Sequence, residues 1–529
     1  MGVLARSLLI AALTFALCEA PPIGTSANGD ITFADVTAHA GLQTHIVYGG
    51  TSGNTYILET TGTGVAFLDY DNDGWQDIFL VNGTTLDGFP RGQEPSNHLF
   101  RNKHDGTFED VTVRAGLAQS GWGQGVAVAD YDNDGFDDLF VTSWGQNRLY
   151  RNKGDGTFED VTARAGLTSG RRWSTSAAFA DYDNDGFVDL YVAEYIDFDP
   201  QTAPLPGAKV PGVNCSYRGF PVMCGPRGLK GERDHLYHNS GKGTFTDVTV
   251  QAGNLDKDSS RGLGVVWGDI NNDGYPDLVV ANDAQPNLLY VNQRNGTFRE
   301  TALEAGVAVD EDGRERAGMG IDLSDYDNDG WKDLLLVNGH VYPEVDRHQL
   351  DETYAEPTVL LRNNGNGTFA DVTALVGSSL AGPRAGRGMA AGDYDNDGDL
   401  DFLIATVNGP PCLLENRGGN ASHWLTVRLI GRRSNRDGIG ARVTTIADGV
   451  SRMEEVRSGG SYLSQSDLRA HLGLGAASSI AAVEIRWPSG QVDRLTGVPV
   501  DRIIVVREGE GSFTFAPGPG NGSRATERR

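Results

Sequence analysis

The sequence predicts an all-β chain: a β-propeller of six recognisable repeat units, with a seventh blade left open, followed by a small β-sandwich or partial barrel. Three observations carry this reading. Two phrases alternate along most of the 529 residues. Each repeat turns on an Asp/Asn/Gly-rich run between short apolar segments. The composition pairs 71 Gly with a 39% apolar share, which suits short strands and tight turns better than long helices.

The chain opens with Arg6, an apolar run from Leu8 to Leu17 and a small-x-small site at Cys18-Glu19-Ala20. That run is too short to span a bilayer and reads as an export signal, residues 1–20. Leu17 just before Cys18 disfavours a lipid anchor there, and Pro21 leaves the cleavage point open. No later stretch approaches 18 apolar residues, so no transmembrane segment is expected in the mature chain.

One repeated phrase, N-x-x-x-G-T-F-x-D-V-T-x-x-A-G, begins at Asn102, Asn152, Asn239, Asn292 (with ETA for DVT) and Asn363, and a truncated copy starts at Phe33. The other phrase, of the form AFLDYDNDGWQDIFLV, begins at Ala66, Ala127, Ala178, Val266, Asp322 and Ala390. Four short strands per unit of roughly 50 residues is the pattern of propeller blades. The Phe33 fragment is expected to supply the outer strand of the last blade and close the ring, which removes open sheet edges. The propeller is placed at 31–417. The 88-residue gap between the third and fourth acidic turns leaves room for a degenerate seventh unit.

In D-x-[DN]-x-D-G-x-x-D, oxygen side chains fall at positions 1, 3, 5 and 9. The six sets are Asp69, Asp71, Asp73 and Asp77; Asp130, Asp132, Asp134 and Asp138; Asp181, Asp183, Asp185 and Asp189; Asp269, Asn271, Asp273 and Asp277; Asp325, Asp327, Asp329 and Asp333; and Asp393, Asp395, Asp397 and Asp401. A hard, oxygen-only, flexible shell suits Ca²⁺, here several structural ions. Six copies of four acids would repel one another without a cation, whereas a single Asp-rich turn is only a turn. Asn271 costs the fourth site one charge. An EF-hand needs Glu at position 12. Here that position holds Leu80, Val141, Val192, Val280, Leu336 and Ile404, so EF-hand pairs are excluded.

The alternating phrases resemble the FG-GAP (VCBS-type) repeats of integrin-type propellers in their calcium-bearing form. HWLTVRLIGRRSNRDGIGARVTT from His423, GGSYLSQSD from Gly459, HLGLG from His471 and VEIRWPSGQVD from Val483 resemble an ASPIC/UnbV domain. The order of the two is that of the family related to cartilage acidic protein 1, in a bacterial-type form without the EGF module. The resemblance implies a secreted propeller with an accessory domain. Alternating strands place that domain at 420–507, with a Gly-rich tail at 508–529. Asn435-Arg436-Asp437-Gly438 reads as a hairpin turn. His471 and Arg436 are weighed as ligand contacts against satisfied polar residues.

Two insertions break the rhythm, at 193–234 and 339–357. Cys215 and Cys224 in the first are expected to form a disulfide in an exported protein, with Cys412 left as a buried thiol. His340, Tyr342, Glu344, Asp346 and His348 gather in the second, where a transition-metal site is weighed against a solvated polar loop.

The formal net charge of −27 excludes nucleic acid as a partner. The expected function is a secreted or periplasmic, monomeric, calcium-stabilised scaffold for binding or adhesion to extracellular or envelope protein or glycan. The alternative is an extracytoplasmic, hydrolase-like enzyme with its active site at the propeller channel. No G-x-S-x-G or H-E-x-x-H supports the alternative, so binding is read ahead of catalysis and no catalytic residue is assigned.

Overall fold

The computed structural model describes residues 31–516 apart from 52, 169, 311, 316–321 and 349. The expected export signal, residues 1–20, lies outside the described residues.

Six four-stranded antiparallel blades follow one another along the chain. In the first, Val65–Leu68, Asp77–Leu80, His98–Asn102 and Phe108–Asp110 run from the centre outward. The innermost strands of the later blades are Trp122–Ala129, Arg172–Ala180, Gly262–Gly268, Asp322–Ser324 and Gly386–Gly392. The sixth blade takes its outer strand from the start of the described chain: Thr32–Asp35 pairs antiparallel with Cys412–Arg417, Phe33 opposite Asn416. The expected ring closure is therefore present. Besides the remaining strands of the third blade, the long gap after the third acidic turn holds a short hairpin, Ser216–Tyr217 with Phe220–Pro221, and not a further blade.

Strand position explains the residue pattern. Inner strands are covered on both faces by neighbouring blades, so Val65, Ala66, Phe67 and Leu68 are all buried. Outer strands meet solvent, and Phe108 is buried while Glu109 and Asp110 are exposed.

The repeated Asn and Phe lock adjacent blades together. Asn102, Asn152, Asn239, Asn292 and Asn416 each donate Nδ2 at 2.7–2.8 Å to the carbonyl of the acidic-loop Tyr in the preceding blade. The buried Phe of the outer strand packs on that same Tyr, as Phe108 does on Tyr394 and Phe158 on Tyr70. Between blades four and five the Tyr is replaced by Ile270, which is exposed, as is Phe369 opposite. Asn363 there donates only within its own blade, to the Lys332 carbonyl.

The C-terminal domain is a β-sandwich of two four-stranded sheets. His423–Ile430, Ala470–Gly475, Arg502–Arg507 and Phe513–Phe515 form one sheet. Arg442–Ala447, Val450–Glu455, Ile480–Arg486 and Val492–Leu495 form the other. Two sequence expectations are corrected. Residues 508–516, assigned to the tail, supply the strand Phe513–Phe515. Residues 435–438 make a tight turn, with Gly438 N–H bonding the Asn435 carbonyl, but the flanking strands lie in different sheets, so it is a crossover and not a hairpin. Glu508 fixes that crossover by accepting from the backbone N–H groups of Arg432, Arg433 and Ser434; against the cost of burial, the Ser489 hydroxyl first and then these N–H groups hold its carboxyl down at about 2.

Phe33→Ala should cost about 3–5 kcal/mol, because Phe33 is buried in the closing seam. Val113→Ala on the exposed rim should stay within about 0.5 kcal/mol. Denaturant midpoints of the two variants check this.

Candidate metal centres and the docked C-terminal domain

All six acidic loops join the first and second strands of their blades and so lie on one face of the ring. The backbone builds each loop in the same way. The position-5 carboxylate accepts from the N–H two residues on, as Asp73 does from Trp75 at 3.0 Å. The position-1 carboxylate accepts from the Gly N–H, Asp69 from Gly74 at 3.0 Å. The position-9 carboxylate bridges two N–H groups, Asp77 taking Tyr70 and Asn102.

Ligand atoms of positions 1, 3 and 9 lie within 4.8 Å of one another in the first, second, third and fifth loops. Position 5 leans outward instead: Asp73 pairs with Arg101 and His104, and Asp134 with Arg151. Position 3 spans both environments. Asp71, Asp132 and Asp183 each give Oδ2 to Arg101, Arg151 or His238, while each Oδ1 is buried without a partner. Asp69 Oδ1 and Asp325 Oδ1 are likewise buried and unpartnered. Buried carboxylate oxygens facing one another without donors are what a bound cation satisfies, so the residues present fit a hard divalent ion.

Burial and neighbouring carboxylates push these acids up, Asp130 and Asp333 to about 9, Asp181 to about 7 and Asp327 to about 6. Position 12 lies inside a strand in all six blades, which agrees with the exclusion of EF-hands.

A residue that the sequence reading passed over organises this face. Position 4 is Asn in every loop, and Asn72, Asn133, Asn184, Asn272, Asn328 and Asn396 all have φ between 55° and 59°. Asn tolerates this left-handed conformation better than most side chains. The Nδ2 groups of Asn72, Asn133, Asn184, Asn328 and Asn396 donate to the Gly carbonyl of the next loop, chaining the loops around the ring. The available signal was the invariance of Asn at a position that needs no ligand.

The sandwich docks on this face and caps the other end of those amides. Arg428, Arg442 and Arg469 make the same two-point contact with the first, fourth and sixth loops. Each bonds the position-4 Asn Oδ1 and also position 1, through the Asp69 carboxylate or the carbonyls of Asp269 and Asp393. Arg436 serves the second loop through its backbone N–H to Asn133, beside Asp437, which accepts from Asp130 N–H at 2.6 Å. At the fifth loop His471 Nε2 donates to Asn328 Oδ1 at 2.7 Å, and its Nδ1 accepts from Thr426 at 2.8 Å. His471 thus takes its satisfied polar role, whereas Arg436 meets the second loop through its backbone. Burial drives the His471 imidazole down to about 3, so it is neutral.

From the sandwich a loop drops into the ring. Gly460–Ser461 and Ser464–Gln465 form a hairpin inside the channel, with Tyr462, Leu463 and Gln465 buried. Val126 N–H bonds the Leu463 carbonyl, Leu463 N–H bonds Ser176 Oγ, and Gln465 pairs in parallel with Ala66. Ser466 reaches both Asp322 and Ala391. The fit requires glycine in the inner strands: a Cβ at Gly64 would sit 1.7 Å from the Leu463 carbonyl oxygen, and one at Gly388 2.3 Å from Ser464 Oγ. A cavity of about 400 Å³ remains between the hairpin and blades four and five. Of its charged groups, Lys332 pairs with Glu454 and Arg469 with Asp467.

The opposite mouth is covered by Tyr48, Trp122, Trp173, Tyr195 and Phe198, which share one apolar cluster with Tyr462 and Leu463. The two insertions pack on each other there: Phe220 stacks on His348 with centroids 3.8 Å apart, and Tyr217 Oη donates to Glu352. His340 Nδ1 accepts from Tyr342 N–H, so the two histidines are engaged separately. Cys215 and Cys224 form a disulfide, and Cys412 is a buried free thiol. No helix among the described residues is long and apolar enough to cross a membrane.

The FG-GAP-like repeat family matches residues 69–141, 130–192, 228–280, 269–336 and 350–404, and the ASPIC and UnbV family matches 431–513. The chain belongs to the FG-GAP repeat proteins that carry an ASPIC/UnbV domain. Within this family it is similar to cartilage acidic protein 1 of Mus musculus, 25% identical over 459 residues, 81% of this chain and 62% of the relative. The Homo sapiens protein is 24% identical over 442 residues, 81% and 60% of the two chains. The chain thus spans about three fifths of the length of these relatives. Among solved structures it is similar to an Agrocybe aegerita lectin that recognises non-reducing terminal N-acetylglucosamine (TM-score 0.30, 15% identity, 68% of this chain and 81% of that one). It is also similar to Trypanosoma rangeli sialidase in complex with sialic acid (TM-score 0.31, 11% identity, 75% and 60%).

Arg469→Met strands Asp467 and removes the sixth-loop contact, and should cost about 3–5 kcal/mol. Arg494→Met, at an exposed position, should be neutral within about 0.5 kcal/mol. Denaturant unfolding distinguishes them. His471 contributes fully above its unfolded value near 6.5, and that contribution falls by about 1.4 kcal/mol per pH unit below it. The stability difference between the wild type and His471→Gln should shrink accordingly from pH 7 to pH 5 in calcium-containing buffer.

Proposed function

We propose that the chain is an exported, extracytoplasmic binding or adhesion scaffold whose acidic loops hold structural Ca²⁺ and whose exposed outer face engages protein or glycan. The observation that carries this reading is the hairpin that occupies the channel axis. A propeller enzyme with reacting groups at its axis needs the space that residues 458–468 take. The Cys215–Cys224 disulfide supports an oxidising compartment.

In each loop the side chains at positions 1, 3 and 9 and the carbonyl at position 7 would serve as ligands, position 5 would join them by leaving its outward partners, and Asn271 would weaken the fourth. The ion supplies positive charge that lets buried carboxylates stay ionised together. The chain's own arginines do the same from outside the loop, so ion and docked domain support one arrangement.

Calcium should raise the melting temperature, with four to six ions counted by native mass spectrometry. At tenfold above Kd each site adds about 1.4 kcal/mol. An unchanged melt in EGTA and calcium contradicts the proposal. The pH dependence has a definite sign. Carboxyls raised in the folded state favour the ring below about pH 4, and that advantage is lost as pH rises through 6 to 9. Calcium must displace those protons, so affinity should rise at least tenfold from pH 6 to pH 8 in calorimetry, with proton release.

A further inference from the structure

The groove between the first and second blades, on the face opposite the acidic loops, holds a pocket of about 130 Å³ that no metal or domain contact uses. Trp122, Trp144, Asn97, Gln119 and Arg148 line it. No carboxylate is among the lining residues, although the chain carries a net charge of −27.

Two side-chain donors at this pocket have no partner among the described residues. Asn97 is 3% exposed, and its Oδ1 accepts from Asn82 N–H at 2.9 Å. Its Nδ2 donates to no group among the described residues. The corresponding amides in other blades are satisfied: Asn147 Nδ2 donates to Ser174 Oγ at 2.7 Å, and Asn287 Nδ2 to the Val307 carbonyl at 3.2 Å. Trp122 is 9% exposed and pairs in register with Trp144 across the second blade. The Trp122 indole N–H also has no partner among the described residues. Trp144 is half-buried at the rim, with the Arg171 guanidinium 5.5 Å from its ring centroid.

Neither N–H is sealed from solvent, so each is open to donate to a ligand oxygen in place of water. The ligand that suits this lining offers oxygen acceptors on one side and a flat C–H face on the other. We infer that this inter-blade pocket binds one pyranose ring of a glycan, with the Trp122 indole and Asn97 amide donating to its oxygens and the Trp144 rim packing against its C–H face. A nucleobase would also present a flat face, but the acidic chain repels the phosphates attached to it. The assignment rests on the scaffold reading above and narrows it to a sugar at a named site.

The test uses the mature, full-length chain in calcium. Methyl glycosides of galactose, glucose, mannose, N-acetylglucosamine and glucuronic acid are titrated by tryptophan fluorescence and saturation-transfer NMR. At least one should bind saturably in the millimolar range, and the glucuronide arm separates acidic from neutral sugars. Asn97→Asp keeps the Oδ1 acceptor and removes the donor, and Asp234 already stands at that position in the third blade, so the variant should fold. It should weaken binding at least tenfold with an unchanged melting temperature, and Trp144→Ala should do the same. No saturable glycoside, or Asn97→Asp binding as tightly as the wild type, overturns the pocket. Capture of a protein from an extracellular extract would then leave the scaffold standing, whereas its absence as well would remove both.

Discussion

Crowding of carboxylates on one face of a closed ring is the constraint on which the rest of the structure depends. Ring closure brings six acidic loops together, and burial makes their charge costly. Three devices answer that cost. Loop backbones donate to the carboxylates, the third strands bring Arg101, Arg151 and His238 to the outer oxygens, and the sandwich brings arginines to the inner side. The oxygens still unpartnered, on Asp69, Asp71, Asp132, Asp183 and Asp325, mark where a cation completes the balance. Residues 420–516 contain twelve Arg and no Lys. Arg428, Arg442 and Arg469 each span two loop positions, which suits the fixed planar fork of a guanidinium better than the compact point charge of an ammonium.

The sandwich has no six-fold symmetry, yet it serves a nearly six-fold face. It does so with different groups at each loop: three arginines, one backbone N–H and one neutral histidine reach five of the six position-4 amides. Asn184 Oδ1 is left buried and unpartnered, while the Arg433 carbonyl lies against Gly186 of the same loop. The hairpin at 460–465 solves a second problem of ring geometry. It supplies backbone and side-chain partners to inner-strand groups that would otherwise line an open channel. Propeller and sandwich are consequently one structural unit, and buried residues of the second and third blades share an apolar cluster with the sandwich.

What was legible in the sequence was local and repeated. The six turns, the strand content and the closing role of Phe33 are each carried by a phrase a few residues long. The docking was not legible, because it joins residues hundreds of positions apart, such as Asp69 with Arg428. GGSYLSQSD stood out only as part of a resemblance, and nothing local says that it enters the ring. Two faint signals existed. Gly64, Gly125, Gly264 and Gly388 recur five residues before the first Asp of their loops, where Gly64 and Gly388 clear the way for the hairpin. Asn recurs at position 4, where a ligand search has no use for it. The NRDG crossover and the strand at Phe513 were missed for a common reason, since sheet membership is set by long-range pairing and not by turn chemistry.

Hydrogen exchange of residues 458–468, followed by mass spectrometry with calcium and with EGTA, tests the central claim most directly. If ion-bearing loops and docked domain form one arrangement, these amides stay protected in calcium and exchange together with the six loops once it is removed. A hairpin equally protected in both conditions would contradict the coupling and leave the loops and the plug as independent features of the fold.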